Sequence, residues 1–100
     1  MQKQTQQFLT QHNLYRTAAT RYIDLVSEVG ELGKEILTAT AYGKTELQPT
    51  ASITEEIGDA IFSMMALCCE LNINAEAALA KAIEKYQHRF ATKGHIASGG

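Results

Sequence analysis

The chain has 100 residues, of which 45% are hydrophobic and 20% charged, and its formal net charge is -2. This length predicts one globular domain, residues 1–100, around a single core. The charge argues against a nucleic-acid polymer as partner, because binding phosphates requires a basic stripe. Since no apolar run reaches 18 residues, we expect neither export nor contact with a membrane, and a cytoplasmic protein.

The first predicted helices occupy the N-terminal part of the chain. Residues 5–12 favour a short helix. From Leu14 onward, apolar side chains recur at spacings of three and four residues, which is the pattern of a long amphipathic helix. Asn13 is a suitable N-cap for that helix, and Gly43 is its natural stop after an end near residues 38–42.

A second long helix is predicted after a loop that contains the only proline, residues 43–52. Ser52 and Glu55 form a capping box ahead of an apolar run over residues 57–71. Because this run is apolar on nearly every side, we expect it to be the central helix and to leave apolar surface for a second copy of the chain.

The last predicted helix runs from Ala75 to Phe90, after a turn whose asparagines can cap it. No segment alternates with period two, so the predicted class is all-α. We expect the two ends of the domain, residues 1–13 and 92–100, to be flexible. The two cysteines, Cys68 and Cys69, are neighbours on one helix and are predicted to be free thiols.

Two pairs of acidic residues occur within these apolar helices, in the segments E28-V-G-E31 and E56-I-G-D59. Residues three apart lie on the same side of a helix, so each pair forms one acidic patch. If the patches face each other, their like charges require a cation between them. Oxygen ligands without histidine or cysteine suit Mg²⁺, whose shell substrate phosphates complete. The alternative is a solvated line of charge beside an apolar face, which we favour for Asp24 and Glu35.

These motifs resemble the E-x-x-E, spacer, E-x-x-D signature of the MazG family of all-α nucleoside triphosphate pyrophosphohydrolases. The segments LVSEVGELGKEI, ITEEIGDAIFSMMALCCELNI and AIEKYQHRF are similar to successive helices of that family, over about residues 22–90. The resemblance implies a bundle of about four helices, completed by formation of a homodimer or homotetramer. It also implies hydrolysis of a (d)NTP to a (d)NMP and pyrophosphate, a reaction of nucleotide-pool sanitation. The implied ligands of Mg²⁺, or of Mn²⁺ in its place, are Glu28, Glu31, Glu56 and Asp59.

Two basic residues near the end of the last helix, Lys85 and Arg89, match the family's K-[FY]-x-x-R-F segment. Their spacing of four places both on one helix face, and the resemblance implies that they bind substrate phosphates. The alternative is an ordinary solvated basic face that Lys81 continues.

The sequence leaves two other functions open. The first is a non-catalytic helical dimer that binds nucleotide or metal as a regulatory partner. The second is an enzyme similar to the phosphoribosyl-ATP pyrophosphohydrolases, which ranks lower because Ile61 and Phe62 replace the Tyr-His pair that follows the second acidic motif there. No motif for a protein nucleophile or a phosphate-binding P-loop occurs. We can assign no residue that stacks on a base, so base and sugar preference are open.

Overall fold

The computed structural model describes residues 1–93, and the predicted all-α class is confirmed over that range. The helices are α1 (Gln2–Gln11), α2 (Ala18–Ala39), α3 (Ala51–Leu71) and α4 (Ala75–Lys93). The predicted flexible tail falls largely outside the described residues, since only residues 92 and 93 of it are described, as the end of α4. Over the part of the chain described, no helix combines the length and apolar character needed to cross a membrane.

The central position predicted for α3 is confirmed, because both α2 and α1 pack on it. Ala66 of α3 is fully buried, and Ser63 and Ile53 of the same helix are buried as well. On the α1 side, Leu9 is 4% exposed and Thr5 is buried. The core of the chain therefore lies along α3, between its two packing partners.

The predicted start of α2 is wrong. Its N-cap is Thr17, whose hydroxyl oxygen accepts a hydrogen bond from the Thr20 backbone N–H at 3.1 Å. Asn13 instead ends α1, with a positive φ of 54°, while the Leu14 N–H donates to the Leu9 carbonyl at 2.9 Å. Asparagine tolerates the left-handed conformation that closes a helix, so it serves here as a terminator.

The predicted capping box at Ser52 is wrong as well. Thr50 caps α3, since its hydroxyl oxygen accepts from the Ile53 N–H at 3.1 Å. This earlier start places Ile53 in the first turn, where it is 6% exposed. Burial of that side chain, worth about 1.5–3 kcal/mol, favours the earlier start.

An ion pair between a buried arginine and a half-buried glutamate ties the segment between α1 and α2 to the end of α3. Arg21 Nε lies 3.5 Å from Glu70 Oε1, and the two side chains are 8% and 19% exposed. A second Arg21 nitrogen donates to the Leu14 carbonyl, and Glu70 Oε1 accepts from the Arg16 N–H at 3.1 Å. Arg21 and Glu70 therefore each hydrogen-bond to the backbone of the connecting segment, at Leu14 and Arg16 respectively.

The turn between α3 and α4 is fixed by hydrogen bonds from two directions. Asn72 has a φ of 56°, and the Ile73 N–H donates to the Cys68 carbonyl at 2.9 Å, which closes α3. The Gln2 amide spans the turn from α1, donating to the Ile73 carbonyl at 2.6 Å and accepting from the Ala75 N–H at 2.7 Å. These contacts set the direction in which α4 leaves α3.

That direction leads α4 away from the other helices. Within residues 1–93, no helix packs along it, and none of its residues 75–92 is buried. The radius of gyration is 16.5 Å, against about 13 Å for a compact domain of this length. Leu79, Ile83 and Phe90 are 55%, 47% and 56% exposed, so α4 presents an apolar stripe that residues 1–93 leave about half-exposed.

Candidate active site

Three carboxylates from two helices meet on one side of the α2–α3 pair. Glu28 of α2 and Glu56 and Asp59 of α3 can each offer an oxygen so that the three atoms lie within 4.8 Å of one another. Glu28 and Glu56 are half-buried and Asp59 is exposed. Oxygens that share one ion lie within about twice a metal–ligand distance of 2.0–2.6 Å, so this spacing suits a single divalent cation.

The connection between α2 and α3 makes this meeting possible. Glu28 stands about 16 Å before the end of its helix at Ala39, whereas Glu56 stands about 8 Å after the start of α3 at Ala51. A tight helical hairpin would leave these carboxylates at different heights. The connecting residues 40–50 are long enough to span this difference in height, and the approach of Glu28 to Glu56 and Asp59 shows that the two acidic segments lie level.

The electrostatic environment of this site is strongly negative. Partial desolvation raises the pKa of Glu56, and the charges of Asp59, Glu28, Glu31 and Glu35 raise it further, in that order. The neighbouring negative charges disfavour the ionised form of Glu56 unless a cation neutralises the group. The site thus has the charge and the donor atoms of a hard-cation site.

Glu31 is the one predicted metal ligand that does not join the group of three. It lies one turn beyond Glu28 on α2, is exposed, and acts on the pKa of Glu56 only through its charge. Glu35 was predicted to be solvated, yet it is half-buried and belongs to the same negative field. Its position one turn after Glu31 is the sequence signal that could have identified it.

The two predicted substrate-binding residues lie on α4, outside the group of three acids. Lys85 Nζ lies 4.8 Å from the centre of the Tyr86 ring, and the Arg89 guanidinium carbon lies 5.9 Å from the same centre. Both cations therefore border one aromatic ring. They line an open surface of α4 together with Lys81, Glu84, Gln87 and His88.

An apolar groove of about 420 Å³ between α1 and α3 was not predicted from the sequence. Phe8 and Phe62 meet there edge to face, with ring centres 5.8 Å apart. Met1, Gln4, Thr5, Gly58 and Ile61 complete the lining. Gly58 is about 160° around α3 from Glu56, whereas Phe62 is only about 60° from Asp59, so the groove faces away from Glu56 but lies next to the Asp59 side of α3.

Fold and site together define a class of protein, the all-α proteins that hold an acidic site between two adjacent helices. A family model described as the MazG nucleotide pyrophosphohydrolase domain matches residues 16–92, which covers α2, α3 and nearly all of α4. The chain belongs to this family, and the predicted resemblance is confirmed. None of the curated proteins compared and none of the solved structures compared matches the chain. The family supports nucleotide pyrophosphohydrolase activity as the general function of such a domain.

Proposed function

We propose that this protein is a Mg²⁺-dependent nucleoside triphosphate pyrophosphohydrolase that converts a (d)NTP and water into a (d)NMP and pyrophosphate. The observation that carries the proposal is the approach of the Glu28, Glu56 and Asp59 carboxylates to within 4.8 Å. In the proposed reaction, the water oxygen bonds to the α-phosphorus while the bond to the bridging oxygen breaks. Water is the nucleophile and pyrophosphate is the leaving group, so no bond to a protein atom forms.

The chemistry of the donors fits a divalent magnesium or manganese ion. Three carboxylates with no histidine or cysteine among them are a hard-ligand set. Glu28, Glu56 and Asp59 would hold the ion, and Glu31 offers a fourth carboxylate one turn along α2. A bound Mg²⁺ would supply a coordinated water of lowered pKa and would neutralise charge on phosphate oxygens.

The chain's own side chains then have separable roles. The half-buried Glu28 and Glu56 fix the site between two packed helices, because both helices are held by the core along α3. The exposed Asp59 stands at the open edge of the site, where a polyphosphate can enter. Lys85 and Arg89 carry the positive charge that a triphosphate requires, and i,i+4 spacing presents both groups together.

A nucleotide substrate is consistent with a cytoplasmic role in keeping the nucleotide pool clean. The reaction removes a triphosphate and leaves a monophosphate that no polymerase can use directly.

A nucleotide panel tests the proposal. Purified protein is incubated with each common (d)NTP and Mg²⁺, and pyrophosphate and monophosphate are measured together. We expect at least one substrate to yield both products in equal amounts, and EDTA to stop the reaction. Glu56→Gln should lower the rate by about 100-fold or more, because it removes a charged ligand with little change of shape.

The matched control is Glu55→Gln, the same substitution at an exposed position one residue earlier on α3. It should retain the wild-type rate. A thermal-shift titration with Mg²⁺ provides a second readout, in which stabilisation seen for the wild type and for Glu55→Gln is lost in Glu56→Gln. Formation of no product from any nucleotide, or equal rates for Glu56→Gln and wild type, would overturn the proposal.

A further inference from the structure

We infer that Gln2 is a positioning residue for the substrate-binding cations, because its side-chain amide fixes the direction in which α4 carries Lys85 and Arg89. This inference rests on the proposed function, since it requires these two cations to bind the polyphosphate. Gln2 lies on α1, ahead of the family-matched residues 16–92. Its amide bonds to the backbone of the turn before α4, so it acts through that helix and not on the substrate.

The Gln2 amide holds both sides of the turn between α3 and α4. Its nitrogen donates to the Ile73 carbonyl at 2.6 Å, two residues after α3 ends. Its oxygen accepts at 2.7 Å from the N–H of Ala75, the first residue of α4. The donor and the acceptor belong to one rigid amide group. The two backbone groups must therefore keep one relative placement for both hydrogen bonds to form.

The helix that carries Gln2 is itself fixed on α3. Leu9 of α1 is 4% exposed, and Thr5 of the same helix is buried. Phe8 meets Phe62 of α3 edge to face, with ring centres 5.8 Å apart. Gln2 is half-buried at the start of this packed helix. α1 therefore gives the turn a reference that is fixed relative to α3.

The contacts that α4 makes with its own chain are concentrated at this turn. Within residues 1–93, no helix packs along α4, and none of its residues 75–92 is buried. The Ile73 N–H donates to the Cys68 carbonyl at 2.9 Å, and the Asn74 side chain accepts from the Ala77 N–H at 2.9 Å. The first of these bonds lies on the α3 side of the turn and the second on the α4 side, whereas the Gln2 amide bonds to both sides.

A small change of direction at this turn is amplified along α4. Lys85 stands about 15 Å and Arg89 about 21 Å beyond the start of the helix. A rotation of α4 by about 10° at the turn therefore moves Lys85 by about 2.6 Å and Arg89 by about 3.7 Å. Charge-assisted hydrogen bonds to phosphate need a donor–acceptor distance of about 2.7–2.9 Å. Displacements of this size break such bonds, so the placement of both cations depends on Gln2.

Enzyme kinetics of Gln2→Ala and Gln2→Met test the inference. Both variants lack the amide, and Gln2→Met keeps the length of the side chain. We expect the KM for the nucleotide to rise about 10-fold in both, which corresponds to the loss of one hydrogen bond to a charged group. The kcat should change less than about two-fold, because the carboxylates stay in place and only the binding of the polyphosphate weakens.

The matched control is Gln7→Ala, the same substitution at an exposed position of α1, and it should retain the wild-type KM. Circular dichroism and light scattering should give the helix content and the mass of the wild type for every variant. A thermal-shift titration with Mg²⁺ should give an unchanged midpoint, because the acids are untouched. Loss of helix content in Gln2→Met would show that Gln2 holds the fold and not the direction of α4, and would overturn the inference.

A double-mutant cycle separates positioning from a general structural effect. Its second arm is the pair Lys85→Ala with Arg89→Ala, which should lower kcat/KM by itself. If Gln2 acts through these cations, adding Gln2→Ala to that pair should lower kcat/KM less than about two-fold further. A defect elsewhere in the fold would lower kcat/KM by the same factor in both backgrounds, and that result would contradict the positioning role.

Residual dipolar couplings of the backbone amides measure the direction of α4 without using activity. In the wild type, the couplings of α4 should fit the same molecular alignment as those of α2 and α3. In Gln2→Ala, the couplings of α2 and α3 should be retained. Those of α4 should report a rotation of at least about 10°, or a reduced amplitude from a wider range of directions.

The outcomes distinguish this inference from the proposed function. Unchanged KM in both Gln2 variants, or unchanged α4 couplings in Gln2→Ala, would overturn the inference while an active wild type leaves the proposed function standing. A wild type that hydrolyses no nucleotide would refute the proposed function and with it the role of the two cations. The couplings would still decide whether Gln2 orients α4.

Discussion

The ion pair between Arg21 and Glu70 should be among the most sensitive points of the fold. In Glu70→Ala, the Arg21 guanidinium stays in a site that is 8% exposed, but it loses its counter-charge. The Arg16 N–H loses its acceptor as well. We therefore expect the single substitution Glu70→Ala to cause a large loss in the free energy of unfolding.

The magnitude follows from burial. Breaking a buried ion pair by removing one partner costs about 3–5 kcal/mol. Two features favour the lower end of this range, about 3 kcal/mol. Glu70 is 19% exposed, and Arg21 keeps its hydrogen bond to the Leu14 carbonyl. That is a large part of the 5–15 kcal/mol that stabilises a typical domain. At about 4–8 °C per kcal/mol, the thermal midpoint should fall by roughly 12–24 °C.

Urea unfolding followed by circular dichroism measures this effect. Glu70→Gln keeps an acceptor for the Arg16 N–H and should lose about half as much free energy of unfolding. The matched control is Glu55→Ala, which removes an exposed carboxylate from the same helix and should stay within about 0.5 kcal/mol of wild type. A loss below about 1 kcal/mol for Glu70→Ala would show that the pair is solvated, and would refute the reasoning.

Two further predictions concern the acidic site and a helix end. The folded chain holds the pKa of Glu56 above its ordinary value of 4.5, so it binds this proton more tightly than the unfolded chain does. In EDTA, the free energy of unfolding should therefore decrease as the pH rises above 4.5. Glu56→Gln should weaken that decrease. Identical pH profiles of wild type and Glu56→Gln would contradict the raised pKa of Glu56. Ala41 has a φ of 48° just after α2, so Ala41→Gly should raise the free energy of unfolding by about 0.5–1 kcal/mol. Ala80→Gly, inside α4, should lower the free energy of unfolding by about 1 kcal/mol. If thermal unfolding showed both substitutions to be stabilising or both destabilising, the strain inferred at Ala41 would be contradicted.

Apolar periodicity predicted the helices well, because each long helix needs an apolar face whatever its partners are. Helix starts were predicted less well, since several residues can cap. Thr17 and Thr50 act as N-caps where Asn13 and Ser52 were equally suitable by type. The choice depends on which start buries the better side chain, as Ile53 shows, and burial is a property of the folded chain.

The candidate site was predictable to a similar degree. The spacing within each acidic motif places two carboxylates on one helix face, so Glu56 and Asp59 were expected to lie together. The approach of Glu28 to these two residues depends on the path of residues 40–50. The length of that segment is compatible with the approach but does not determine it. The ion pair of Arg21 and Glu70 was missed, because its partners are distant in sequence and each looks like an ordinary surface charge.

The Gln2 amide also bears on the order in which the molecule assembles. Its two partners lie 71 and 73 residues further along the chain. The pairing of α2 with α3 needs only a short loop to close, whereas this contact must wait until Ile73 and Ala75 have been synthesised. We therefore expect the central hairpin to form early during translation and the N-terminal helix to dock late, so that α4 acquires its final orientation in one of the last folding events.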